Sequence, residues 1–527
     1  KCLPQTTHQR IEHIHESLLF YDEHTFGASE SVSDPLCENS QVQWGEKSAY
    51  AWEAVKRTQM LYETSVGLLQ GDLRRGKNPT LTIFNTLNWK RSEMLTVYID
   101  FEVIPRNQFF EITDFQGHSL KVQPIRYRRE GCYYAIFAED IPPMGYKTFE
   151  IVFKQPSTDT GTITINNASI ENHFYKLQLN PDKGTIQSLY DKELNCELVD
   201  SSSPWELGAF IYEKLGNRDQ LAQYRLDDYN RTGLSECRII DSSNGPIYQR
   251  ILLQGKSPGT DEAFGVNLEI KLYHDTKRIE LEYAIKRLPE TDPSGIYVAF
   301  PFQLPEGKLA FDVQGGTVIS GKNQLEGTST DWNTVQNFVS VQNNQAQIII
   351  GSSLIPLYQL GDINLGKFQY QKQYERPHVY SWVMNNYWNT NFKASQEGEF
   401  RWSYHLTSSV DPSNNLATKF GWSSRIPLYA RVMPTGTENH KPTEYSAFHF
   451  EKDNFLMTSC TPSKEEGYIL LNIREIDGKR TNLRILNEDG QTVPFTIVNA
   501  IEEKLENETS EHIFEGYQNK FIKIKRF

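Results

Sequence analysis

Cysteine is scarce: Cys2, Cys37, Cys132, Cys196, Cys237 and Cys460 are the only six in 527 residues. None forms a CxxC pair, which excludes a zinc ribbon and a thioredoxin-type redox motif. Six is also sparse for a disulfide framework, so free, mostly buried thiols are expected. Long apolar runs are missing, and no stretch approaches the roughly 18 residues a membrane-spanning helix needs. The opening KCLPQTTHQR lacks the apolar centre of a signal peptide. It marks neither a cytoplasmic nor an exported compartment. Positive charge is in deficit: 54 Lys and Arg against 67 Asp and Glu leave a net −13. A general nucleic-acid binder needs a basic footprint and is excluded on that ground. Phosphate loops, dinucleotide fingerprints, serine-hydrolase elbows, HExxH and deaminase signatures are all missing. So are short-period repeats.

What is present is length and aromatic side chains. A chain of 527 residues predicts three or four domains, each large enough to bury its own core. Hydrophobic residues at 38% and charged residues at 23% place it among globular proteins rather than disordered or fibrous ones. The aromatic share is 12%, with 9 Trp, 27 Tyr and 28 Phe. Aromatics favour strands, and they also make flat platforms for the apolar faces of sugars.

Periodicity divides the chain. Ile11, Ile14 and Leu18 step by three and four, predicting a short helix over 7–20. A loop follows to Asp34-Pro35. A second helix is predicted over 43–74. Its stripe, Trp52, Val55, Gln59, Tyr62, Val66 and Leu69, should bury against neighbouring helices. After Pro79 the period becomes two. Strands are predicted at 80–85, 93–100, 109–113, 133–138 and 146–153. A polar linker with Pro and Gly follows at 155–162. A longer strand-rich region then begins near 165, and a third near 425. The expected architecture is mainly β: a helical bundle segment (1–78), then antiparallel β-sandwiches. These are a small sandwich (79–155), a large supersandwich (165–420) and a C-terminal β module (421–527).

Two tracts carry candidate chemistry. The first is Asp22-Glu23-His24, shortly before Gly27. Imidazole and carboxylate are suitable ligands for a divalent ion such as zinc. In an extended segment Asp22 and His24 share a face and Glu23 points away. The competing reading is a loop of solvated acids with a hydrogen-bonded histidine. The second tract is Ser381–Phe392, rich in aromatics and amides. Trp382, Tyr387 and Trp388 with Asn389 and Asn391 could stack on a sugar ring and hydrogen-bond its hydroxyls. The competing reading is an aromatic belt between sheets.

The order of these parts resembles the C-terminal two-thirds of family 38 glycoside hydrolases, the α-mannosidases. YDEHTFGASES at 21–31 is similar to the corresponding loop of bacterial-type members. NPTLTIFNTLNWKRSE at 78–93, ENHFYKLQLNPDKGTIQSLYDKE at 171–193, KRIELEYAIKR at 277–287, YVAFPFQL at 297–304 and NNYWNTNF at 385–392 also resemble that family. The resemblance implies a retaining glycosidase with an aspartate nucleophile, a carboxylic acid/base and one divalent ion, usually zinc. It implies a partner as well, an N-terminal α/β barrel that carries the nucleophile and most metal ligands. The substrate implied is a mannose-containing oligosaccharide or glycan. One ligand in the family comes from the loop after a bundle helix. Here that points to His24, while alignment on Gly27 points to Asp22, and the choice stays open. Glu23 is a candidate sugar contact beside them. No barrel-like strand–helix alternation and no HxD motif occur in the chain, so it is expected not to hydrolyse mannosides by itself. The alternative reading is a non-catalytic carbohydrate-binding β-sandwich protein, and a blander one is a scaffold that buries a barrel surface.

Overall fold

The structure is a computed structural model that describes residues 7–23, 27–155 and 168–526. His24 and nearly all of the 155–162 linker stretch lie outside the described residues. The molecule is mainly β with an N-terminal helical pair, followed by antiparallel sandwiches.

Helix α1 spans Thr7–Asp22 and helix α2 spans Glu38–Leu69. Helix α2 begins earlier than its apolar stripe, because Cys37 caps it and accepts from the Ser40 amide. The stripe itself is a correction. Only Val66 is buried; Trp52 is 71% exposed, and Val55, Tyr62 and Leu69 are exposed too. The buried positions of α2 are instead Ser40, Trp44, Ala54 and Val66. Two helices cannot surround a third face, so the apolar stripe of α2, together with Leu18, Leu19 and Phe20 of α1, faces outward. The end of α2 rests on the small sandwich, where Tyr62 meets Tyr429 edge-on at 4.8 Å and Glu63 pairs with Arg431 at 3.2 Å.

The small sandwich faces a five-stranded sheet against the three strands Arg91–Asp100, Gly131–Ile141 and Lys121–Tyr127. Leu81, Ile83, Val97, Ile136, Phe149 and Ile151 are among the side chains of its core. Two of its strands come from far down the chain. Tyr429–Met433 pairs with Thr80–Asn85, and Glu444–Ser446 pairs with Gly145–Lys154. Residues expected to open the C-terminal module thus complete the first sheet. Gly145 makes that pairing possible, since a Cβ there would lie 1.8 Å from the Tyr445 carbonyl oxygen.

In the large sandwich, a nine-stranded sheet packs over one core with strands of a six-stranded and a four-stranded sheet. Alternation decides which side chains enter it. In Val266–Tyr273, Val266, Leu268, Ile270 and Leu272 point into the core. Lys271 points the other way, opposite Glu280 in the register. The strand Ser294–Phe300 of the six-stranded sheet is buried at every position, so that sheet is covered on both faces. Its inner face joins the main core. Its outer face carries a second core of Ile211, Tyr297, Ile363, Tyr380, Trp382 and Tyr387. A helix not foreseen from sequence, α3 (Asn414–Arg425), follows the last strand of the large sandwich. Ser413 caps it, its Oγ accepting from the Leu416 amide at 3.2 Å. The remaining module is built on a four-stranded sheet of residues 455–525 with its own apolar core.

Among the described residues five cysteines are unpaired, and only Cys132 is buried. This corrects the expectation of mostly buried thiols. No described helix is long and apolar enough to cross a membrane.

Candidate functional site

The two tracts singled out in the sequence meet. Gly27 forms an isolated antiparallel bridge with Phe392, across 365 positions of chain. A Cβ at Gly27 would lie 1.0 Å from the Asn391 carbonyl oxygen, so the approach requires glycine. Ser31 locks the junction. Its fully buried hydroxyl donates to the Asn391 carbonyl at 3.1 Å. It accepts from the Ala28 amide at 3.0 Å and from the Trp44 indole of α2 at 3.1 Å. Lys47 of α2 adds a fourth tie, donating to the Gly27 carbonyl at 2.8 Å. The loop after α1 is thereby fixed between α2 and the edge of the large sandwich.

Beside this junction lies a cavity of about 380 Å³, within the size range of small-molecule sites. Trp332, Trp382 and Trp388 wall one side, and Val32 and Phe392 come from the two joined loops. The Trp332 and Trp388 rings are 5.6 Å apart, and Trp332 meets Trp382 at 5.8 Å. Asn385 and Lys393 supply polar groups. The Lys393 ammonium stands 5.4 Å over the Trp44 ring. A second cavity of about 40 Å³ shares Asn385, Asn386, Lys393 and Ala394 with the first.

The strand Val379–Asn385 positions Trp382, and the chain then leaves the sheet as a loop. Two groups hold that loop. Asn386 spans it: its amide donates to the Ala394 carbonyl at 2.7 Å and the Glu290 carbonyl at 3.1 Å, and it accepts from the Ser294 amide at 2.7 Å. Tyr387 is the other. Expected as part of the platform, it is instead fully buried and donates to Glu213 Oε1 at 2.6 Å. Glu213 is fully buried as well, and it accepts from Arg231 and Tyr297. Burial, with Tyr297 and the Glu213 charge beside it, holds the Tyr387 phenol well above its usual range. A Cβ at Gly295 would fall 1.9 Å from the Tyr387 hydroxyl. Tyr387 is therefore an anchor under the cavity rather than a wall of it.

The remaining expected residues divide. Trp382 (2% exposed) and the half-buried Trp388 wall the cavity. Asn389 is exposed and donates to Asp219 at 2.7 Å. Asn391 serves through its main-chain carbonyl in the Ser31 bond, and its side chain accepts from Thr390 at 3.1 Å. Asp22 and Glu23 are exposed at the end of α1; neither is among the residues lining the two cavities. Sequence reasoning passed over Trp332 and Lys393; Asn385 lay within the Ser381–Phe392 tract but was not singled out. A tryptophan inside the turn-rich TSTDWNT at 328–334 is the one signal that could have found the first.

The described residues do not by themselves form a metal site. Among them there is no grouping of three or more His, Cys, Asp or Glu side chains able to hold an ion. Structural zinc takes four ligands and catalytic zinc three from the protein, more than Asp22 alone could supply.

Residues 170–368 match the family model described as the glycosyl hydrolases family 38 C-terminal domain. The fold agrees beyond that segment. A crystal structure of an α-mannosidase from Enterococcus faecalis superposes with a TM-score of 0.74 over 98% of this chain, at 12% identity. A glycosyl hydrolase family 38 protein from Enterococcus faecalis gives 0.73 over 98%, at 13% identity. The chain spans 64% and 66% of the length of those two proteins. The search of curated proteins gives no match.

Proposed function

We propose that this chain is the helical and β-sandwich portion of an α-mannosidase-like retaining glycoside hydrolase. In this reading the chain forms one side of a sugar site and supports a catalytic α/β barrel. The observation that carries the proposal is the Gly27–Phe392 junction, which sets the loop after α1 and the tryptophan-walled cavity side by side. Indole faces suit the apolar face of a hexose, while Asn385 and Lys393 suit its hydroxyls. The substrate is then a mannose-containing oligosaccharide or glycan. The outward apolar stripe of α2 and the exposed Leu19 and Phe20 of α1 support the barrel contact. A patch of that kind on a monomer marks an interaction surface.

The divalent ion, zinc for preference, would take His24 or Asp22 as one ligand and the rest from the barrel. Glu23 would lie against the sugar. The nucleophile and acid/base carboxylates of a retaining mechanism would likewise come from the barrel.

Calorimetric titration of the chain with mannose-type oligosaccharides tests the sugar reading. Saturable binding with a Kd of roughly millimolar or tighter, about −4 kcal/mol or better, is expected. No heat at millimolar ligand would count against it. Titration with a cellulose- or chitin-derived oligosaccharide should give no binding.

A further inference from the structure

The charge around the two joined cavities is opposite to that of the molecule. The chain carries a net −13, yet the cavity lining presents Lys393 to both cavities and Arg287 to the smaller one. Among the described residues neither cation has a carboxylate within ion-pair distance. Lys393 lies over the Trp44 ring. Arg287, 8% exposed, donates to the Ser294 hydroxyl at 2.8 Å and the Gly259 carbonyl at 3.4 Å, and stands 5.4 Å over the Tyr212 ring. The one acid in the lining is Glu290. Its charge is already met by Lys214 at 3.3 Å, which also pairs with Asp292 at 3.0 Å. The nearby Glu397 accepts from Ser395 at 3.0 Å and is held below its usual range, with the Lys393 charge as one contributor; it is not among the lining residues, so the buried Arg287 is the cation without a carboxylate beside it. A buried guanidinium without a carboxylate is costly to maintain unless something else meets its charge.

We infer that the smaller cavity receives an anionic substituent, a carboxylate or phosphate, carried by the sugar seated in the larger one. This rests on the sugar reading above and adds the substrate class: an acidic mannoside rather than a neutral one. Asn385 lines both cavities. The guanidinium of Arg287 and the ammonium of Lys393 would both donate to the anion's oxygens, and such charge-assisted bonds are the stronger kind.

The test compares α-mannose 1-phosphate, methyl α-mannoside and inorganic phosphate by titration calorimetry on the full chain. The phosphate ester is expected to bind about tenfold tighter than the neutral glycoside, with the advantage shrinking as salt is raised. Lys393→Gln should cancel the advantage of the ester over the glycoside, whatever it does to both affinities in common, while Lys393→Arg should restore it. Equal affinity of ester and glycoside in the wild type overturns the anionic subsite and leaves the sugar reading standing. Binding of the ester and inorganic phosphate alike, with none of the glycoside, overturns the sugar reading and this inference with it. An advantage that survives Lys393→Gln in a protein of unchanged Tm overturns the assignment of Lys393.

Discussion

Ser31→Ala should open the junction between the two loops. The substitution removes one hydroxyl that serves three bonds: to the Asn391 carbonyl, from the Ala28 amide and from the Trp44 indole. Alanine fits the same space, so the effect is one of hydrogen bonding rather than of size. Two buried N–H donors lose their acceptor, at about 1–3 kcal/mol each. Some relaxation toward water is available at a loop, which places the expected cost at about 2–4 kcal/mol. The cost falls on local opening of residues 27–34, not on the sandwiches, so a global melt is the wrong readout. Hydrogen exchange at the Asp34 amide is the right one, because its bond to the Glu30 carbonyl is not touched by the substitution. Its protection should fall roughly thirty- to a thousand-fold. Gly27→Ala should do the same by steric means, since its Cβ would overlap the Asn391 carbonyl. Protection of Asp34 within about threefold of wild type in Ser31→Ala would refute the claim that this hydroxyl holds the junction.

Three further outcomes follow from the same geometry. Trp388→Ala should weaken binding of methyl α-mannoside about tenfold or more, and cost only roughly 2 kcal/mol of stability because the ring is half-buried; a cost of about 5 kcal/mol with unchanged binding would make it a core residue. Tyr387→Phe leaves the buried Glu213 short of a donor, so stability should fall by about 1–3 kcal/mol, read by denaturant midpoint; no change would refute the anchoring role. Acid should destabilise the large sandwich in two steps. Burial first, then the Arg278 charge, lowers His405 from 6.5 to about 3, and the 2.7 Å bond from Arg278 to its Nδ1 requires the neutral ring. Glu280 is lowered from 4.5 to about 2: burial opposes this, and the Lys271 and Arg278 charges outweigh it. Both folded values lie below the unfolded ones, so their stabilisation is complete above pH 6.5 and is lost as pH falls. His405 alone accounts for roughly 2 kcal/mol by pH 5. His405→Gln should flatten the pH 6.5–4.5 limb, and a wild type equally stable at pH 7 and pH 5 would contradict this.

Where burial follows from alternation along one strand, the sequence was readable. Thr80–Asn85 and Phe109–Thr113 lie where the period of two placed them. Lys121–Tyr127 was missed because Pro124 argues against a strand. It sits at the sheet edge, with a register shift beside the proline, where the lost amide is tolerated. Pairings between distant segments leave no local trace, so strands 429–433 and 444–446 were not foreseen as members of the first sheet. The α2 stripe misled for a related reason: an apolar period says that a face wants cover, not that this chain supplies it.

The site was legible to a similar degree. Both tracts could be chosen from residue types, since tryptophans among asparagines and a histidine among acids are uncommon. Their meeting at Gly27 and Phe392 depends on Ser31, a residue with no distinguishing neighbours in the sequence. The role of Tyr387 depended on Glu213, which is 174 positions away and one of 67 acids. Lys393 became informative only when the structure placed it in the lining of both cavities.

The central claim is that the cavity between the two loops takes a mannoside, and indole-resolved NMR tests it most directly. With the nine tryptophans labelled with ¹⁵N, methyl α-mannoside should shift the indole signals of Trp332, Trp382 and Trp388 along one saturable curve. The signals of Trp89 and Trp402, which do not line the cavities, should stay in place. Saturable shifts confined to other tryptophans, or none at tens of millimolar sugar, would contradict the account.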